Sequence, residues 1–130
     1  MTVRAAQSCT TVCAVGDTGP GGGVVFYDAG STQSWGRYME VASSVASPSG
    51  ERPWCNVNTL IAGADGIAIG TGRSNSLAIA GACTTAAAID AMAYAGGGQS
   101  DWFLPSKGEL VALCDWEREQ VGGSPCRAGW

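Results

Sequence analysis

The chain contains no histidine, and histidine is the side chain that most often serves as a general base in enzymes. Its absence excludes a Ser-His-Asp triad and a Cys-His pair within the chain. Two carboxylates can still hydrolyse a glycoside, and the candidates for such a pair are Asp101, Glu109, Asp115, Glu117 and Glu119. Glu109 fits a helix cap, and the other four fit helix surfaces or turns. We therefore expect no enzymatic activity and no catalytic residue.

Basic residues are scarce as well, with 7 Lys and Arg against 11 Asp and Glu and a formal net charge of −4. Nucleic-acid binding depends on clustered basic side chains that displace counterions, and the sequence has no basic run. We therefore expect no nucleic-acid partner.

Long apolar runs are missing too. None reaches the roughly 20 residues that a membrane-spanning helix needs, so we expect no insertion into a membrane.

Metal-binding spacings are likewise missing. The sequence has no Cys-x-x-Cys pair, and its shortest cysteine spacing lies between Cys9 and Cys13, whereas structural zinc sites combine short paired spacings. Calcium prefers clustered oxygen ligands, but Asp17 and Asp65 stand alone in glycine-containing segments typical of turns. These patterns predict no metal site and no cofactor.

What the sequence does contain is glycine and cysteine, with 20 Gly and 6 Cys in 130 residues. Large core-filling side chains are few, and domains with thin cores are commonly stabilised by disulfides in oxidising compartments. We therefore expect an extracellular protein, secreted or at the cell surface, with all six cysteines in disulfides. Several connectivities are possible, and the positions favour Cys55 with Cys83, Cys114 with Cys126 and Cys9 with Cys13.

The start of the chain shows no apolar stretch of the kind that a signal peptide has after its first residues. A disulfide-rich chain without that stretch indicates a piece excised from a longer secreted protein. We divide the chain into a lead-in segment, residues 1–15, and one domain, residues 16–130, because its length suits a single domain.

Strand signals come first along the chain and helix signals follow, which predicts an α+β fold. Residues 24–27 and 37–42 are typical of two strands of a hairpin, joined through a turn at 28–31 and a loop of about eight residues. Residues 74–76 predict the N-cap of a first helix, running from Leu77 to about residue 95, where Gly96 ends it.

A second helix is predicted from Lys107 to about residue 119, after an extended segment that ends at Pro105. Ser106 and Glu109 have the spacing of a capping box at its start. The two helices are expected to pack on a small antiparallel sheet, with long loops anchored by disulfides.

Aromatic side chains are candidates for contact with a sugar ring, because they combine an apolar face with limited conformational freedom. Trp102 and Phe103 fit the core, whereas Trp35 and Trp54 lie in loop-like sequence and are the stronger surface candidates. The predicted ligand-binding set is Trp35, Tyr38, Trp54, Arg73 and Trp130.

Three motifs carry a resemblance to a known family. Residues 16–27 (GDTGPGGGVVFY), 69–75 (IGTGRSN) and 96–110 (GGGQSDWFLPSKGEL) resemble, in the same order, the C-terminal domain of collagen-like adhesins, the Lcl C-terminal domain. The match spans residues 15 to about 123. The resemblance implies a C-type-lectin-like fold in a secreted or surface-exposed bacterial adhesion module that binds glycan or protein ligands. The third motif is also similar to a helix start in formylglycine-generating enzymes, but similarity of fold does not transfer function.

Two departures from the family pattern support an alternative. Members of the family continue with further strands, whereas this chain ends at Trp130, and six cysteines exceed the number expected. A sheet without its last strands leaves an open edge, which recruits strands from other chains. The alternative is therefore a structural subunit of an extracellular oligomer or fibre, completed by strand exchange between copies of the chain.

Overall fold

The computed structural model describes residues 2–6, 14–42, 54–57 and 60–121. This part of the chain has the predicted α+β class, with a small antiparallel sheet and three α-helices where two were expected. Its elements are β1 (Val3–Ala6), β2 (Val24–Gln33), β3 (Gly36–Val41), α1 (Gly72–Ala82), α2 (Ala87–Ala93) and α3 (Lys107–Val121), with a short 3-10 turn at Gly96–Gly98.

The sheet has the strand order β1-β3-β2, so the last strand in sequence lies in the middle. β1 comes from the predicted lead-in segment, which has no strand pattern in its sequence, and pairs Val3 with Val41. Val3 also exchanges two backbone hydrogen bonds with Phe103, of 2.9 and 2.7 Å. These bonds connect the beginning of the chain to the segment before α3.

The predicted hairpin is present, but its predicted loop is wrong. β2 continues through residues 28–31 to Gln33, and the connection to β3 consists of Ser34 and Trp35 alone. The irregularity that the sequence indicated as a turn is a bulge inside the strand. At this bulge Gly30 has a φ of +82° and donates its N–H to Asp28 Oδ1 at 2.8 Å.

The single helix predicted from residue 77 to 95 is two helices. α1 begins at Gly72, and α2 follows a break at Cys83 with a bend of 111°. The predicted cap at 74–76 is wrong because Ser76 lies buried inside α1, where its hydroxyl hydrogen-bonds the backbone N–H and C=O of Leu104. In the described part of the chain no single helix is long and apolar enough to cross a membrane, and α1 with α2 meets that criterion only as a bent pair.

The helix breaks where a side chain from an earlier segment accepts backbone N–H groups that a continuous helix would bond internally. Asn56 Oδ1 accepts the N–H groups of Thr84 and Thr85 at 2.7 and 3.3 Å. In a continuous helix these N–H groups would bond to carbonyls four residues earlier. The adjacent Cys55 forms the predicted disulfide with Cys83. This anchor lies 28 positions earlier in the sequence, so no local pattern revealed the break.

The remaining cysteines fall mostly outside the described residues. Cys114 is disulfide-bonded, but the predicted partners in Cys114–Cys126 and Cys9–Cys13 lie in segments that the structure does not describe.

The core lies between the sheet and α3. Trp102 and Phe103 are buried, as predicted. The main apolar cluster consists of Val3, Phe26, Met39, Phe103 and Leu113. A second cluster lies around the disulfide and the helix break, and consists of Ile79, Cys83, Ala86 and Ala88.

Candidate functional site

The first glycine-rich motif folds around a buried carboxylate. Glu40 of β3 is 1% exposed and accepts the backbone N–H groups of Gly21 and Gly23 at 3.1 and 3.2 Å. A Cβ atom on Gly19 or Gly21 would overlap this carboxylate. The sequence indicated a tight loop at this motif, and the structure shows that the loop is tight because it encloses Glu40.

The second motif folds around a buried carboxylate from the third. Glu109 of α3 is 0% exposed and accepts N–H groups from Gly70 at 2.7 Å, Gly72 at 3.1 Å and Ser106 at 3.0 Å. Ser106 Oγ accepts the Glu109 N–H at 3.3 Å, which confirms the predicted capping box. Gly72 begins α1 and Ser106 precedes α3. The carboxylate therefore lies at the N-terminal ends of two helices, where the helix dipoles favour negative charge.

A third cluster links the sheet to the segment before α3. Arg4 of β1 donates from Nε to Asp101 Oδ1 at 2.8 Å and from a terminal nitrogen to Asp101 Oδ2 at 3.0 Å. Another terminal nitrogen donates to Glu40 at 3.3 Å. Burial would raise the pKa of Asp101, but the hydrogen bonds and charge of Arg4, with a smaller contribution from Arg73, hold the pKa below its usual value. Burial would also lower the pKa of Arg4, but Asp101 and Glu40 raise it overall.

Next to these clusters, residues of β1, β3, the hairpin turn, α1 and the segment before α3 line an open groove of about 430 Å³. One side is the two-residue hairpin turn, the other is the first two turns of α1, and the floor carries apolar side chains from the sheet. Pockets of this size lined by apolar and aromatic side chains with a few polar groups are typical ligand sites. The side chains that line the groove include Ser34, Trp35, Arg73, Leu77 and Asp101.

Trp35 is held in place by two neighbouring residues. The indole packs against Gly70, where a Cβ atom would overlap the ring, and Gly70 has a φ of +99°. The Tyr27 ring also lies close to the indole, with centroids 6.3 Å apart. A half-buried ring fixed in this way can stack on a ligand at little conformational cost.

Arg73 and Asp101 supply opposite charges to the same groove. Arg73 is the second residue of α1, is exposed, and forms no ion pair with any residue that the structure describes. It lies near enough to Asp101 to contribute to the lowered pKa of that carboxyl group. The groove therefore combines the half-buried indole of Trp35, one cation and one anion over an apolar floor that includes Phe103.

The structure brings together two of the predicted ligand-binding residues, Trp35 and Arg73. Tyr38 lies in β3 beneath the guanidinium of Arg37, which is 4.9 Å from the ring centroid, and does not line the groove. Trp54 is 53% exposed, beside the disulfide, and does not line the groove either. Trp130 lies outside the described residues.

Asp101 and Leu77 line the groove without having been predicted as ligand-binding residues. Asp101 was weighed only as a catalytic carboxylate, and Leu77 as the start of a helix. The signal available for Asp101 is its position directly before Trp102 and Phe103, which places it where the chain enters the core.

No group of three or more Cys, Asp or Glu side chains among the described residues is arranged to hold a metal ion. No protein-family model, no curated protein and no solved structure matches this chain.

Proposed function

We propose that this chain is a secreted or cell-surface binding module with a C-type-lectin-like fold, and that it binds a glycan in the groove beside Trp35. The observation that carries the proposal is the placement of a fixed aromatic ring next to the Arg73 and Asp101 side chains. Sugars present apolar C–H faces that suit an aromatic ring, and hydroxyl groups that donate to carboxylates and accept from guanidinium groups.

The connections between the motifs support the resemblance to adhesin C-terminal domains. The motif at 16–27 encloses Glu40, which Arg4 links to Asp101 in the third motif. The motif at 69–75 donates two N–H groups to Glu109 in that same third motif. Segments far apart in sequence thus depend on one another. A set of interdependent segments is a reason to treat the ordered resemblance as one of fold.

The disulfides support an extracellular location. Cys55–Cys83 joins the segment at residues 54–57 to the break between α1 and α2, and Cys114 is disulfide-bonded as well. Structural disulfides persist in oxidising compartments and are rare in the cytosol.

The two buried carboxylates are engaged in hydrogen bonds to the backbone, which favours binding over catalysis. Glu40 and Glu109 are fully buried and accept two and three backbone N–H groups, respectively. Glycoside hydrolysis needs two carboxyl groups on either side of the scissile bond, and Asp101 is the one acidic residue among those that line the groove.

Strand exchange in an extracellular oligomer is the second candidate, and the edges of the sheet favour it less. On the outer side of β1, Val3 is paired with Phe103. On the outer side of β2, Val25 accepts from Gly16 and donates to Asp17 at 2.7 and 2.8 Å. Both edges are therefore covered at one end. Light scattering of the oxidised protein separates the two candidates, because a strict monomer is incompatible with strand exchange.

A glycan array probed with oxidised protein, displayed at high valency, tests the binding proposal. We expect binding that Trp35→Leu reduces and Trp54→Leu leaves unchanged. The second variant is a matched control, because it removes an equally large aromatic ring that does not line the groove. Thermal unfolding of both variants checks that they remain folded. An array without binding, or equal losses in both folded variants, would contradict the proposal.

A further inference from the structure

The charges in and behind the groove cancel. Of the described residues that line it, Arg73 is the one cation and Asp101 the one anion. Behind them, the buried Arg4 is paired with Asp101 and with Glu40. The four side chains together carry two positive and two negative charges. The chain as a whole has a formal net charge of −4. The described residues in and behind the groove therefore provide no excess of positive charge of the kind that attracts polyanions.

Asp101 retains the capacity to accept hydrogen bonds from a ligand. Its side chain is 29% exposed and lines the groove, while Arg4 binds one position on each carboxylate oxygen. The two oxygens have four acceptor positions together. Arg4 engages two of them and the backbone N–H of Asp101 itself a third, so one remains for a ligand. Arg4 fixes the carboxylate, and a fixed acceptor loses little freedom when a ligand binds. Such an acceptor attracts hydroxyl groups and repels carboxylate and sulfate groups.

Arg73 provides the complementary donors. Its guanidinium has five N–H groups in a planar arrangement, and no described residue forms an ion pair with it. A hydroxyl group both donates and accepts, so two neighbouring hydroxyl groups can donate to Asp101 and accept from Arg73 at the same time. A purely anionic group can accept hydrogen bonds from Arg73, but it has no hydrogen to donate to Asp101 and is repelled by that carboxylate.

From this arrangement we infer that the groove selects an uncharged saccharide, whose adjacent hydroxyl groups bridge Arg73 and Asp101 while one face of its ring stacks on Trp35. The inference rests on the proposed function and narrows it to neutral glycans. It distinguishes this groove from a site for acidic polysaccharides, for which binding would depend on uncompensated positive charge and would weaken as salt screens it.

The test uses the oxidised full chain and matched pairs of polysaccharides: dextran, mannan and galactan, each unmodified and as its sulfated derivative. We expect one or more of the unmodified polymers to bind, with an affinity that changes less than about twofold as salt rises from low to high ionic strength. We expect Arg73→Gln to weaken that binding about tenfold or more, the usual loss for a hydrogen bond to a charged group. Arg118→Gln is the matched control, because Arg118 is an exposed arginine of α3 that does not line the groove.

Two further variants give effects of opposite sign for the two ligand classes. Asp101→Asn weakens the binding of a neutral sugar but strengthens that of a polyanion, because it removes a repelling charge. Leu77→Lys replaces an exposed apolar side chain of the groove with a cation, so it weakens the binding of a neutral sugar and strengthens that of a polyanion. Leu77→Lys breaks no hydrogen bond in the structure, so it remains informative even where Asp101→Asn unfolds the protein.

The outcomes separate the inference from the proposed function. Binding confined to the sulfated polymers, weakened by salt and strengthened by Leu77→Lys, would overturn the inference and leave glycan binding intact. An absence of binding to all six polymers and to the glycan array would overturn both.

Discussion

Arg4 and Asp101 lie 97 positions apart in sequence and are joined by two hydrogen bonds, of 2.8 and 3.0 Å. The pair connects β1 to the segment that leads into α3, and it holds the Asp101 carboxylate at the edge of the groove. Because the pKa of Asp101 is lower in the folded protein than its ordinary value of 3.8, the ionised form stabilises the fold.

This pair gives a prediction about acid stability. A carboxyl group whose pKa is lowered by folding contributes stability above its ordinary pKa and loses it as the pH falls through the folded value. We expect Asp101→Asn to lower the free energy of unfolding by about 1–2 kcal/mol at neutral pH, since the pair is only partly buried. The difference from the unmodified protein should shrink below pH 3.8. Urea unfolding across the acidic range measures it, and a difference independent of pH would contradict the assignment.

Glu109 gives a prediction about the junction of α1 and α3. Glu109→Ala leaves two buried N–H groups and one partly buried N–H group without an acceptor, so we expect a loss of about 3–5 kcal/mol in the free energy of unfolding. Glu119→Ala is the matched control on the same helix, because Glu119 is exposed, and its effect should stay within about 0.5 kcal/mol. Denaturant unfolding of both variants provides the comparison, and similar losses would show that Glu109 is not a structural anchor.

Two glycines of α1 should respond to the same substitution with opposite signs. Gly81→Ala places a methyl group in open space on an exposed helix position and should stabilise the protein by about 0.5–1 kcal/mol. Gly72→Ala places that group against the Glu109 carboxylate and should destabilise it by about 1–3 kcal/mol. Melting temperatures of the two variants settle the point. A stabilising Gly72→Ala would mean that the close contact with Glu109 is absent in solution.

The Cys55–Cys83 disulfide gives a prediction about stability and about the break between α1 and α2. The bond closes a loop with a sequence separation of 28, and its removal should cost about 3–4 kcal/mol by the loop-closure argument. The double variant Cys55→Ala/Cys83→Ala avoids free thiols, and denaturant unfolding measures its stability. Because Asn56 caps the break between α1 and α2, that break should become more accessible to hydrogen exchange in the variant. Unchanged exchange at Thr84 and Thr85 would mean that Asn56 stays in place without the disulfide.

Local patterns predicted those elements whose determinants lie close together in sequence. The start of α3 was predicted because Ser106 and Glu109 are three positions apart and form the cap themselves. Both ends of α1 were mispredicted because distant residues set them. Glu109, 37 positions later, receives the N–H of Gly72, and Asn56, 28 positions earlier, receives that of Thr84.

The groove was predictable in its components and not in its assembly. Trp35 and Arg73 were both chosen from the sequence, but only the two-residue hairpin turn explains why the indole reaches Gly70 beside α1. Asp101 could not be assigned to the groove without β1, because Arg4 holds its carboxylate in place and β1 has no clear strand pattern.

The enclosure of Glu109 by the glycines at positions 70 and 72 has a consequence for engineering and for divergence. Consider a chimera that receives residues 69–75 from another such domain but keeps its own helix start at 106–109. The backbone N–H groups of the transferred loop would then face a carboxylate to which they are not matched. The two segments are therefore interchangeable only as a pair. In a lineage of such domains, loss of the acid on the helix should accompany a larger side chain at position 72, where a Cβ atom would meet the Glu109 carboxylate.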